Sequence, residues 1–164
     1  MSWLWIVLAL VVLERVVELF YARRNTQRLI ARGGVEAGAS HYPLIVLLHA
    51  TWLASLFAFV PKYAPPVWWL LGVYVLLGGL RVWTIASLGP YWTTRVITVP
   101  DAPLVRRGPY RFLRHPNYVV VAAELAVLPL AFGAVNIAVT FTLLNAALLA
   151  WRIRVEERAL APRR

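Results

Sequence analysis

Residues 116–151 read PNYVVVAAELAVLPLAFGAVNIAVTFTLLNAALLAW. Two apolar runs, 117–132 and 135–151, flank the small-residue turn Phe132-Gly133-Ala134-Val135-Asn136. A helix needs about 20 apolar residues to cross a bilayer, and each run falls a little short of that. The pair therefore reads as a tight helical hairpin, with Pro129 bending the outgoing helix near its end.

Working outward, three more runs come close to span length: 2–21, 43–60 and 66–88. The first has no basic stretch before it and no small-residue cleavage site after it, so it reads as a retained helix. Charge placement checks the count of five. Arg23, Arg24, Arg28 and Arg32 fall in 22–42, and Arg95, Arg106, Arg107, Arg111 and Arg114 in 89–116. Arg152, Arg154, Arg158, Arg163 and Arg164 lie at or beyond the last run, whereas the intervening loops hold only Lys62. Five spans put every basic segment on one face, which predicts an outside N-terminus and a cytoplasmic C-terminus. The expected fold is an all-α integral membrane protein, a single domain over 1–164, with its working part in 89–160. A hydrophobic share of 61% agrees, since a soluble domain keeps more polar surface.

The formal charge of +10 sits at span ends, which points to lipid headgroups and not to nucleic acid. With no cysteine, disulfides and thiolate chemistry are excluded. His41, His49 and His115 are too dispersed for a metal site, so no metal is expected. Trp3, Trp5, Trp68, Trp69, Tyr91 and Trp92 lie near span ends, as an interfacial aromatic belt would.

Ionisable groups inside spans are costly, and are paired or functional. Glu14, Arg15 and Glu18 in the first span are either an ion-paired structural cluster or the polar lining of a substrate cavity. His49 in the second span is either a hydrogen-bonded interior residue or part of that lining. In the fourth span Glu124 shares a face with Asn117. In the fifth, Asn145, Leu149, Arg152 and Glu156 follow one another on one face. Since a short turn joins these helices, their polar stripes can meet in a pocket open to the cytoplasm.

The chemistry-bearing stretch is LVRRGPYRFLRHPNY, residues 104–118. Gly108-Pro109 makes a turn, and Pro116 can open the fourth helix with His115 at its N-terminus. Interleaved arginines and aromatics can hold an adenine by stacking and a carboxylate by charge. Taken alone, the arginines are equally explained by contact with anionic lipid. A second element, RIRVEERAL at 152–160, reads as an ordinary helix end except for its Glu156-Glu157 pair.

Together these elements resemble the isoprenylcysteine carboxyl methyltransferase family. Its GPY-x3-RHP-x-Y segment reads here Gly108-Pro109-Tyr110 and Arg114-His115-Pro116-Asn117-Tyr118. Its R-x3-EE-x2-L tail reads Arg152, Glu156-Glu157 and Leu160. The match covers roughly residues 84–160. In the first half, residues 14–19, Arg24-Asn25, His41-Tyr42-Pro43 with His49, and residues 88–95 look like the family's small bacterial branch.

The resemblance implies S-adenosylmethionine as cofactor, released as S-adenosylhomocysteine. Ala102, Pro103, Leu104, Val105 and Tyr110 would line its adenosine. Arg114, His115, Pro116, Asn117 and Tyr118 would close the pocket, with Arg95 a further polar contact. Glu156 would hold the methionyl ammonium or ribose, and Arg152 would face the acceptor. The implied acceptor is lipophilic: a prenylcysteine-like carboxylate, or the phenol or enol of a long-chain lipid entering sideways from the bilayer. Glu14, Glu18, His41, His49, Glu124 and Asn145 would line its route. A carboxylate needs no base, whereas a phenol or enol does, with His115, Glu124 or Glu156 available. Related hairpins occur in phospholipid N-methyltransferases and NADPH-dependent lipid reductases. A scaffold that merely binds anionic lipid remains the non-enzymatic alternative.

Overall fold

The computed structural model describes residues 2–100, 102 and 104–161. Met1, the expected site residue Pro103 and the terminal pair Arg163 and Arg164 lie outside the described residues. Among the described residues the chain forms five long helices: α1 (Trp3–Ile30), α2 (Tyr42–Phe59), α3 (Trp68–Leu88), α4 (Pro116–Ala131) and α5 (Val135–Leu160). Ser2 caps α1 by accepting from the Trp5 N–H. Proline occupies the first turn of both α2 and α4, where its missing N–H costs nothing.

The first and last helices are longer than their apolar runs. α1 continues past residue 21 to Ile30 and α5 past residue 151 to Leu160, because their polar extensions keep good helix formers. The fold is also not purely helical. Val35–Ala37 (β1) pairs antiparallel with Val96–Thr98 (β2), Glu36 facing Ile97. Hydropathy does not reveal three-residue strands joined across the 58 positions between Ala37 and Val96.

Among the described residues three helical stretches are long and apolar enough to cross a membrane: Ala39–Phe59, Trp68–Tyr91 and Val135–Leu160. Helix α4 is apolar but only 16 residues long, and α1 carries the charges at Glu14, Arg15 and Glu18. Large apolar side chains such as Leu10, Phe20, Phe57, Val75, Leu76 and Leu143 point outward from the bundle. That is the surface of a protein solvated by lipid.

The core gathers Leu4 and Leu8 of α1, Trp52 and Leu56 of α2, Tyr74 of α3, Leu125 and Leu128 of α4 and Phe141 of α5. At one end of the bundle Ser2 donates to the Lys62 carbonyl at 2.5 Å, and the Val67 N–H caps the Ala131 carbonyl at 2.8 Å. At the opposite end lie the β1–β2 pair, the 3-10 turns Gly89–Tyr91 and Gly108–Arg111, and the last turns of α5. The basic segments therefore share one end. The buried Asn25 amide ties α1 there, donating to the carbonyls of Gly89 (3.1 Å) and Trp92 (2.9 Å). Trp92 is no interfacial anchor: it is buried and stacks on Tyr21 at 5.9 Å.

Pro129 has a consequence beyond bending. Lacking an N–H, it leaves the Leu125 carbonyl without its helical partner, and the Trp52 indole donates to that carbonyl at 3.2 Å. Trp52→Phe should cost about 1–3 kcal/mol by orphaning a buried carbonyl. Thermal unfolding in detergent would show it. Adding Pro129→Ala, which restores the helical donor, should recover part of the loss.

Candidate active site

The basic end encloses a cavity of about 470 Å³ that runs from the 104–118 loop down between α1, α2 and α5. The loop is fastened to α3 before it reaches the cavity. Gly108 adopts φ +56°, and a Cβ there would run into the Ser87 hydroxyl. Beside it the Arg107 guanidinium donates to the Ser87 carbonyl at 2.6 Å. The following 3-10 turn then delivers Tyr110 to the cavity wall with Leu104, Val105 and Ala102. Burial, with the Glu156 carboxylate near, pushes the Tyr110 phenol above its ordinary range, so it stays neutral.

Helix α4 opens at Pro116 and presents Asn117 and Tyr118 to the cavity, with His115 just ahead. The Tyr118 hydroxyl donates to the Glu156 carboxylate and accepts from Arg152 Nε at 2.7 Å. Arg152 is buried, and its Nη2 donates to the Thr94 carbonyl at 2.8 Å. The ordinary Arg152–Glu156 helix pair thus gives way to a bridge through the tyrosine of another helix. His115 stacks on Tyr118 at 5.3 Å between ring centres, with Nδ1 3.8 Å from Glu156 and Nε2 3.9 Å from Glu157. The Asn117 Oδ1 is buried without a hydrogen-bond partner among the described residues.

The remaining expected residues are spread over several positions. Arg114 is exposed at the mouth, 3.6 Å from Glu157. Pro116 is buried as the helix start and is not part of the wall. Arg95 lines the cavity, but Nη1 reaches both Glu36 oxygens at 2.9 Å and its guanidinium lies over Tyr42 at 4.5 Å. Glu36, Tyr42 and Thr94 went unnoticed in the sequence as site residues. β-Pairing and the approach of α2 to α5 bring them in, and neither leaves a local signal.

At the deep end Arg15, Glu18, His49 and Asn145 line the cavity, joined by Arg81 of α3. Arg81 was overlooked, although a lone arginine inside an apolar span is itself a signal. It donates to Glu18 from Nε (2.5 Å) and Nη2 (2.7 Å), and to Glu124 from Nη1 (3.1 Å). Arg15 adds contacts to Glu18 (3.0 Å), Glu14 (3.2 Å) and Glu124 (3.5 Å). Three expectations need correction here. Glu124 faces α1 and α3 beneath the cavity instead of lining it, because α4 packs against α3 as well as α5. Glu14 pairs with Arg15 outside the wall. His41 is fully buried against Trp151 and does not reach the cavity. The ion-paired reading of the first-span cluster describes its geometry.

Residues 69–162 match the isoprenylcysteine carboxyl methyltransferase (ICMT) family. The uncharacterised protein YpbQ of Bacillus subtilis (strain 168) is 39% identical over 160 residues, covering 95% of each chain. An uncharacterised protein of Haemophilus influenzae is 25% identical over 143 residues, 84% of this chain and 83% of its own. No solved structure matches. The matched span holds Arg81, the 104–118 loop, α4 and α5, so it contains most of the cavity wall. Family membership and apolar helices together make the protein a membrane-embedded methyltransferase. The chain belongs to the isoprenylcysteine carboxyl methyltransferase family, in keeping with a small bacterial branch.

Proposed function

We propose that the chain is an S-adenosylmethionine-dependent O-methyltransferase of a lipophilic acceptor, with five spans in a bacterial inner membrane and its cavity mouth in the cytoplasm. The observation that carries this reading is the Arg152–Tyr118–Glu156 bridge under the stacked His115, in the wall of the cavity. Its size is in the range of cofactor pockets. The residues fit the cofactor. Asn117 Oδ1 and His115 Nε2 are buried polar atoms without a hydrogen-bond partner among the described residues. Glu156 offers a carboxylate for the methionyl ammonium, while Tyr110, Leu104, Val105 and Ala102 offer an aromatic and apolar seat for the adenosine. Arg95, Arg114 and Asn117 complete the polar rim.

When bound, the cofactor supplies an electrophilic methyl group. The chain's part is alignment and exclusion of water. Arg152 stays protonated, so it orients an anionic oxygen and takes no proton. The Tyr118 hydroxyl fixes both partners at once: it holds Arg152 by accepting and Glu156 by donating. An amine acceptor beside Arg152 would meet like charge, which favours oxygen over the phospholipid N-methyl alternative. The acceptor's tail has an apolar passage past Leu19 of α1 and Ile45, Val46 and Leu53 of α2.

Isothermal titration of the detergent-purified protein with S-adenosylhomocysteine tests the reading. Wild type should bind, and His115→Ala and Glu156→Ala should each weaken binding about tenfold or more, the loss of a charge-assisted contact. Undiminished binding in both variants sinks the pocket assignment. Binding of NADPH instead would point to a reductase.

A further inference from the structure

The deep end of the cavity holds polar groups that methyl transfer at Arg152 does not use. Asn145 is 3% exposed and lines the cavity, yet its Nδ2 is without a hydrogen-bond partner among the described residues. A buried amide left in that state costs stability unless a ligand or water completes it. Asn145 lies seven residues before Arg152 on α5, so it sits about 10 Å deeper along the helix axis.

His49 of α2 lines the same chamber. Its Nδ1 contacts the Ile45 carbonyl at 2.8 Å. A carbonyl only accepts, so Nδ1 carries a proton, and in the neutral tautomer that leaves Nε2 as an acceptor. The charged neighbours have less to offer. Arg81 spends Nε, Nη1 and Nη2 on Glu18 and Glu124, and Arg15 spends both terminal nitrogens on carboxylates. The guanidiniums are aimed at carboxylates, whereas Asn145 and His49 turn an amide and an imidazole toward the chamber.

From this we infer that the floor is a second recognition site, taking a neutral hydroxyl on the acceptor's chain about 10 Å from the oxygen that is methylated. A hydroxyl accepts from the Asn145 amide and donates to His49 Nε2. A carbonyl satisfies only the amide, and a methylene satisfies neither. The acceptor is then more than a head on a plain hydrocarbon tail: it carries a polar group at a set depth. The distance rests on the O-methyltransferase reading above, since it is measured from the Arg152 end.

Two fatty acids of equal length separate the outcomes. 10-Hydroxystearate and stearate present the same carboxylate, and the first places a hydroxyl about two helical turns away. Their binding is measured on the full chain in phosphatidylcholine nanodiscs, with and without S-adenosylhomocysteine. 10-Hydroxystearate should bind about tenfold more tightly, the worth of a completed buried hydrogen bond. Asn145→Leu and, independently on another helix, His49→Phe should reduce it to the level of stearate. Affinity for S-adenosylhomocysteine should hold in both variants, and an unchanged melting temperature in the nanodiscs reports that they fold. Equal binding of the two acids to wild type, binding of neither, or a preference that survives both substitutions overturns the floor site. If the preference appears but S-adenosylhomocysteine never binds, the floor stands and the methyltransferase cofactor reading falls.

Discussion

Replacing Arg81 by methionine is expected to destabilise the protein by about 3–5 kcal/mol, the cost of leaving a buried charge without its partner. Arg81 has 8% of its side chain exposed, and its partners Glu18 and Glu124 have 12% and 4%. Glu124 sits between helices away from the cavity wall, so water does not readily take over its lost contact. Arg15 remains and holds Glu18 at 3.0 Å, but it also serves Glu14 and contacts Glu124 only at 3.5 Å, so Glu124 loses its main partner. The melting temperature in detergent should fall by on the order of 10 °C. A triple variant that also carries Glu18→Gln and Glu124→Gln should regain most of it, because the group then holds no uncompensated charge. An unchanged melting temperature in the single variant would contradict the buried network. So would a triple variant less stable than the single one.

The largest effect on turnover is expected from Arg152→Lys. The guanidinium makes two directed contacts, Nε to the Tyr118 hydroxyl and Nη2 to the Thr94 carbonyl. A lysine ammonium keeps the charge but cannot span both, so the charge is no longer held at a fixed point. Methyl transfer from labelled S-adenosylmethionine into membrane lipid should drop about 100-fold, as misplacement of an aligning group does. Affinity for S-adenosylhomocysteine should change little, since Glu156 and the loop stay in place. Tyr118→Phe should be milder in rate, about tenfold, but it should affect both turnover and cofactor affinity because the hydroxyl serves both partners. Equal turnover in Arg152→Lys and wild type would remove Arg152 from the acceptor side.

The helical hairpin was readable because its signals are local. A run of apolar residues, a small-residue turn and Pro116 at a helix start act within a few positions of one another. The same holds for the grouping of basic segments, which the structure places at one end of the bundle. Charged segments stay with water whatever the helices do inside. Expectations failed where helix rotation mattered. Glu124 was assigned to a face with Asn117, and that face exists, but it turns toward α1 and α3 at this depth. Helices that are apolar nearly all round have no polar stripe strong enough to announce which side points inward.

What the sequence determined by itself is therefore the set of helices, their common basic end and the positions of the motif residues. Each follows from hydropathy, charge and turn chemistry along a short stretch of chain. Only the tertiary structure decided that Tyr118 stands between Arg152 and Glu156, that Trp52 satisfies the carbonyl freed by Pro129, and that Arg81 joins Glu18 to Glu124. These contacts link residues 34 to 73 positions apart. Their formation depends on how each helix is rotated and how deeply it sits, quantities that packing sets and that no local pattern records.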